Sequence, residues 1–171
     1  MTEGRASDPL SPITKLGSAH ETDRFDCGKE ELNRFLKRYA LVNQQANSAQ
    51  TYVVTHGQTV VGYYSLTVGG AEHETAPPRV SKGMPRYPIP VMILARLAID
   101  ISVQGQGIGK GLLKDALRRS ATAADIAGIR ALFVNAKDDE ARRFYEYYGF
   151  DPSPADSHQL FFVMKDLKRL A

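Results

Sequence analysis

An apolar run that leads into a glycine cluster constrains this chain more than any other stretch. Val91–Ile99 is hydrophobic throughout except for Arg96, and Gly105, Gly107 and Gly109 follow before the next apolar periodicity begins. A strand with no polar alternation is buried on both faces and needs cover on each. The run therefore predicts the centre of a sheet with helices on both sides, an α/β arrangement. Glycines opening a helix take positive φ and let the backbone approach a ligand. The unpaired amides and positive dipole end of that helix make a cradle for a phosphate or pyrophosphate.

The flanking sequence supplies the rest of the layers. A short strand is predicted at 13–16, then a helix from about Gly28 to Gln45 capped by Asp26. Its apolar residues Leu32, Phe35, Leu36, Tyr39 and Val42 recur at three- and four-residue steps. Thr51–Thr55 and Val60–Val68 are rich in β-branched and aromatic residues around His56-Gly57-Gln58, which reads as a hairpin. The proline-dense stretch 72–90 has no apolar period and reads as a surface loop. A helix from the glycines to about Ala127, a strand over Ala131–Asn135, a helix over Asp138–Tyr148 ended by Gly149, and a strand over Leu160–Met164 complete the order.

At 171 residues, 43% hydrophobic and 24% charged, the chain has the size and composition of one soluble domain, expected to span 1–171 with a loose N-terminus over 1–11. A single cysteine, Cys27, excludes an internal disulfide and fits an intracellular, cytoplasmic protein. No apolar window is long enough for a membrane span, and the first residues are polar, unlike a signal peptide. Four scattered histidines without companions at ligand spacing predict no metal site. The net charge of +3 is mild, so basic character must be local. It is: Arg79, Lys82, Arg86 and Arg96 stand in a stretch with no acid, and Lys29, Arg34, Lys37 and Arg38 outnumber Glu30 and Glu31 on the first helix. Both groups are candidates for the phosphates of a nucleic acid, and a solvated face explains either alone equally well.

Three glycine-loop chemistries compete. A Walker loop needs a hydroxyl after its lysine, and Gly111 follows Lys110. A dinucleotide fingerprint needs a third glycine where Lys110 or Leu112 stands. The third spacing, Gln104-x-x-Gly107-x-Gly109, resembles the pyrophosphate loop of the GNAT N-acetyltransferase superfamily. A second stretch is similar too: Asn135 at a strand end, then Phe144-Tyr145-x-x-x-Gly149-Phe150 on a helix.

This resemblance implies a GNAT fold, with a central mixed, mostly antiparallel sheet flanked by helices, and acetyl-CoA as donor without a metal. Leu97, Ala98 and Ile99 would pair with the pantetheine arm. Gln104, Gly105, Gln106, Gly107, Ile108, Gly109 and Lys110 would hold the pyrophosphate, Asn135 would reach the pantetheine amides, and Phe144 would line the same arm. Tyr145 would be the general acid that protonates departing thiolate, where a lone tyrosine on such a helix is otherwise a core aromatic. No carboxylate stands in Val91–Ile99 to serve as base; Asp100 reads as structural, and Glu72, His73 and Glu74 as solvated loop charges. A missing base suits an α-amine, which titrates near 8, better than a lysine amine near 10.4. The strings Ile89-Pro90 and Leu94-Ala95-Arg96-Leu97-Ala98-x-Asp100 resemble a narrower branch, the bacterial toxins that acetylate the amino group of aminoacyl-tRNA. That branch implies a cognate small DNA-binding antitoxin of the ribbon-helix-helix type and admits a homodimer. An acetyltransferase for a small amine or a protein N-terminus is the alternative enzyme, and a non-catalytic CoA-binding regulator is a third reading.

Overall fold

The computed structural model describes residues 9–169. In chain order these form β1 (Thr14–Lys15), α1 (Glu30–Arg34), a π-helical turn Phe35–Tyr39, α2 (Ala40–Gln45), β2 (Gln50–His56), β3 (Thr59–Ala71) and α3 (Pro78–Ser81). There follow β4 (Ile89–Ile99), α4 (Ile108–Ala127), β5 (Ala131–Asn135), α5 (Asp139–Tyr147), β6 (Asp151–Pro152) and β7 (Gln159–Val163). The strands lie in one sheet in the order β1-β2-β3-β4-β5-β7-β6. The pairing of β4 with β5 is parallel, whereas β1–β2, β2–β3, β5–β7 and β6–β7 are antiparallel. The chain divides into two compact units, Met1–Thr67 with Arg96–Ala116, and Val68–Ala95 with Leu117–Ala171.

In the first unit, Tyr63 is the hub of the core. Its ring meets Phe25 edge-on at 5.5 Å and stacks on Phe35 at 6.2 Å, while its hydroxyl donates to the Leu32 carbonyl at 2.7 Å. Aromatic pairs of this kind add about 0.5–1.5 kcal/mol beyond their buried area. Gly62 has a packing reason: a Cβ there would lie 3.0 Å from Val54 and 3.2–3.3 Å from Leu112 and Ile108, so α4 approaches the hairpin only because the side chain is missing. The Tyr64 hydroxyl donates to Asp115 at 2.5 Å and pins the same helix.

Asp26 does not cap the first helix. Lys29 occupies that position without a side-chain cap, and Asp26 instead accepts from the Gly28 amide at 2.9 Å. Leu32, Phe35 and Leu36 are buried as the periodicity predicts, yet Tyr39 and Val42 are 50% and 60% exposed. The π-helical turn explains this. It holds more residues per turn than an α-helix, so the inward position after Leu36 falls on Ala40, fully buried, rather than on Tyr39.

The N-terminal stretch expected to be loose falls outside the described residues as far as residue 8. Beyond it, Ser11 is tied to β2, donating from its amide to the Thr55 carbonyl at 2.8 Å and accepting from the Thr55 amide at 2.9 Å.

The second unit packs Ala76, Val80, Ile89, Val91, Ala131, Phe161 and Val163 together. The register runs from Val91 opposite Ala131 to Leu94 opposite Val134, then from Ala131 opposite Val163 along β7. The stretch 72–90 is not wholly a surface loop. Pro78 starts a helical turn at the favoured first position, and Ala76 and Val80 sink into the core. Arg130 secures that turn, donating to the carbonyls of Val80 at 3.0 Å, Arg79 at 3.1 Å and Lys82 at 3.2 Å.

Candidate active site

The glycine loop is built as its sequence requires. Gly105 and Gly107 have φ of +81° and +83°, and a Cβ on either would meet no atom within 4 Å. No described residue fills the space that those missing side chains leave, so among the described residues the loop's outward face is open. Gly109 already lies within α4, where its φ is not positive. Ile108 turns its side chain into the core, at 8% exposure, and leaves only its backbone to the loop, while Gln106 and Lys110 are exposed. The first amides of a twenty-residue helix lack intrahelical acceptors and carry its positive dipole end. The residues present thus fit a phosphate-bearing donor. Leu97 and Ile99 on β4 are half-buried and Ala98 buried, so this stretch presents backbone rather than polar side chains.

Behind the loop stands a brace that sequence reasoning missed. Asn33, only 5% exposed, accepts from the Cys27 amide at 2.9 Å and donates to Asp26 at 3.0 Å. Asp26 donates from its backbone to Asp100 at 3.0 Å and accepts at its carbonyl from Ile101 at 2.8 Å. The Gly28 amide and then the Asn33 amide hold the Asp26 carboxyl below the usual carboxylate range. Asp100 also accepts from the Ser102 amide at 2.9 Å and is structural, as its place at the strand exit implied. The Gln104 side chain belongs to this brace: its amide nitrogen donates to Ile99 at 2.9 Å and Cys27 at 3.3 Å. One polar residue, Asn33, interrupts an otherwise apolar helix face, and that was the available signal. Asn33→Ala strands the Cys27 amide and should lower unfolding free energy by about 1–3 kcal/mol in denaturant titrations.

In the second unit, β5 ends at Asn135, which is exposed and opposite Gln159. Asp138 caps α5 by accepting from the Ala141 amide at 2.8 Å, and Gly149 closes it at φ +97°. Between those ends Tyr145 is 7% exposed, with Phe144 edge-on at 5.2 Å and Phe150 at 5.3 Å. Its hydroxyl has no hydrogen-bond partner among the described residues. Burial alone pushes its pKa well above the ordinary phenol value, so it holds its proton throughout the physiological range. A buried, protonated and unengaged phenol is a proton donor in waiting.

The cationic candidates divide. Lys29, Arg34, Lys37 and Arg38 are exposed on the first helix, and Lys82 and Arg86 are exposed in the second unit. Arg79 is already neutralised by Asp166 at 2.6 Å and Asp151 at 3.2 Å, which makes it a strut. Arg96 sets its guanidinium 3.7 Å over the Phe35 ring. His73 contacts the Met84 carbonyl at 3.2 Å, and Glu72 and Glu74 are exposed. No helix among the described residues is long and apolar enough to cross a membrane.

Comparison with known proteins turns this geometry into a family assignment. Residues 47–152 match the acetyltransferase (GNAT) domain. The chain is 40% identical over 156 residues to a tRNA-acetylating toxin of Mycobacterium tuberculosis, covering 91% of this chain and 93% of that one. It shares its fold, at a TM-score of 0.88 and 33% identity, with AtaT complexed with acetyl-methionyl-tRNAfMet, over 95% and 99% of the two chains. A tyrosine-to-phenylalanine mutant of AtaT, bound to the C-terminus of the antitoxin AtaR and acetyl-CoA, matches at 0.81 and 32% over 95% and 98%. With a positive-φ glycine cradle at the start of α4 and the second motif on α5, the chain belongs to the GNAT acetyltransferase family.

Proposed function

We propose that this protein is an acetyl-CoA-dependent N-acetyltransferase that acetylates the α-amino group of aminoacyl-tRNA and so acts as a translation-blocking toxin. The observation that carries this reading is the phosphate cradle at α4, in a chain that aligns almost end to end with a tRNA-acetylating toxin. That coverage also supports reading residues 1–171 as one acetyltransferase domain. Its working compartment would be the cytoplasm, where charged tRNA is found.

Acetyl-CoA supplies the acetyl group as a thioester whose sulfur departs as a thiolate. The amides from Gly105 to Lys110 hold the pyrophosphate, and the backbone of Leu97–Ile99 pairs with the pantetheine amides as an added strand would. Asn135 offers a further amide at the end of β5. Phe144 backs the Tyr145 ring, and Tyr145 Oη gives its proton to the sulfur as the C–S bond breaks. Gln104 works from behind, ordering the turn between β4 and the glycines. No carboxylate stands in β4 to take a proton from the acceptor. The reading needs none before attack, because a fraction of an α-amine is already uncharged at neutral pH, and the N–H proton released as the amide forms returns to Tyr145 Oη, leaving an amide and a neutral thiol.

Exposed Arg34, Lys37, Arg38, Lys82 and Arg86, together with Lys29 on the same helix, would meet tRNA phosphates, with Arg79 buttressing Lys82 and Arg86. Acetyl transfer should then fall as salt rises. Lys82→Glu and Arg86→Glu should each weaken tRNA binding several-fold in filter assays while acetyl-CoA affinity holds. The partners would be charged tRNA and a cognate small antitoxin of the ribbon-helix-helix, DNA-binding type, and the reading admits a homodimer.

The deciding experiment incubates the protein with labelled acetyl-CoA and total charged tRNA. Acetylated amino acid released from tRNA supports the proposal, as does growth arrest by the protein alone that Tyr145→Phe abolishes. Ready acetylation of a small amine, with none on charged tRNA, would hand the assignment to the small-amine alternative.

A further inference from the structure

The exposed turn between α3 and β4 combines cations with an unpartnered aromatic ring. Tyr87 is 76% exposed, its sequence neighbours Arg86 and Pro88 are exposed too, and so are Lys82 and Pro85 just before. Among the described residues, the side chains of Tyr87, Arg86 and Lys82 have no hydrogen bond, ion pair or ring contact. No acid occurs in the sequence between Glu74 and Asp100.

The turn is also fixed in place. Arg130 draws the carbonyls of Arg79, Val80 and Lys82 onto one guanidinium. Arg79 is clamped to Asp166 and Asp151, His73 reaches the Met84 carbonyl at 3.2 Å, and the Ser153 hydroxyl donates to Thr75 at 2.5 Å. Much of the charged and polar chemistry of the stretch is spent on holding its backbone, while Tyr87 and its two cations are left outward. A ring of this size exposed to water gains nothing in the free protein. Set beside cations, it has the composition of a platform for an unpaired nucleobase, whose face stacks on the ring while its phosphates meet Lys82 and Arg86.

We propose that Tyr87 is a stacking platform for an unpaired base of the RNA substrate, with Arg86 and Lys82 holding the flanking phosphates. The proposal rests on the tRNA reading above and adds which part of that substrate the turn grips: a single-stranded end rather than a helical stem. A duplex offers no free base face at its flank, whereas the 3′ end of a charged tRNA does.

The test uses the full chain and two RNA hairpins of the same stem, one blunt and one with a four-nucleotide 3′ overhang. Wild-type protein should bind the overhang hairpin about 10-fold more tightly, and Tyr87→Ala should erase that difference. Tyr87→Phe and Tyr87→Trp should keep it, because the stack needs a ring and not the hydroxyl. Arg86→Gln should weaken both hairpins and reduce the salt slope. On charged tRNA, Tyr87→Ala should raise KM about 10-fold with little change in kcat.

The inference is overturned if Tyr87→Ala retains the overhang preference, or if wild type shows none while still acetylating charged tRNA. It is equally overturned if Tyr87→Ala dissociates an oligomer by sedimentation with RNA affinity intact, since the ring would then face a second copy. Failure of wild type to acetylate any charged tRNA is a separate result, and it sinks the function from which this proposal starts.

Discussion

Tyr145→Phe should lower acetyl transfer about 10²–10⁴-fold, the usual worth of a general acid, while leaving the fold and acetyl-CoA affinity unchanged. The substitution removes one oxygen and no ring contact: Phe144 at 5.2 Å and Phe150 at 5.3 Å keep their partner. It strands no neighbouring polar group either, because the hydroxyl has no hydrogen-bond partner among the described residues. Loss of activity would therefore not be a stability effect in disguise. The direction of the pKa adds a second readout. Burial raises it, so the proton stays on Oη at every pH below that raised value, and alkaline conditions should not titrate the acid away. Rate against pH should climb as the acceptor amine loses its proton near 8 and then level off. A phenylalanine variant that turns over near the wild-type rate, or a steep alkaline fall centred on an ordinary phenol pKa, would remove Tyr145 from the mechanism.

Gly107→Val should abolish measurable acetyl-CoA binding in calorimetry, a loss of at least about 100-fold, in a protein that remains folded. Two effects act together. A β-branched residue at φ +83° is strained by about 1–2 kcal/mol, and its side chain would project into the open face of the loop. The described residues present no atom within 4 Å of the new Cβ, so the strain is local and the core is untouched. Circular dichroism should show native content. Gly109→Val is the informative companion, because Gly109 is helical and its replacement carries no positive-φ penalty. Any loss there isolates the steric contribution. Unaltered affinity in a folded Gly107→Val protein would reduce the loop to a connection.

The elements that carry the site were the most legible ones, and the reason is periodicity. The apolar run into the glycines, the helix to Ala127, the strand Ala131–Asn135 and the helix closed by Gly149 all lie where their patterns put them. Patterns fail where one turn departs from regular geometry. The π-helical turn at Phe35–Tyr39 shifted the buried face by one residue and left Tyr39 and Val42 outside. The helix Pro78–Ser81 has two apolar anchors, too few to register as a period among so many prolines. Hydrogen-bond partners distant in sequence were illegible altogether. Neither the three carbonyls on Arg130 nor the link from Asp26 to Asp100 leaves a mark on spacing. Tyr145 is intermediate: as a helical aromatic it reads as core, which it is, and only the resemblance to a family motif suggested chemistry.

The Asp26–Asn33–Asp100 brace has a thermodynamic corollary. It joins the turn before α1 to the turn before the glycine loop through three hydrogen bonds, from Asp26 to Asp100, Ile101 to Asp26, and Gln104 to Cys27, while Asn33 ties Asp26 and Cys27 to α1 through two more. Two segments so joined share one opening equilibrium, so whatever tightens the loop must quieten the helix start by the same free energy. Donor occupancy would then be reported by slowed exchange of the Asp26 and Cys27 amides, which no donor need touch. Reciprocally, a ligand seated on α1 would set how readily the glycines open. Order at one end is thus a reading of occupancy at the other.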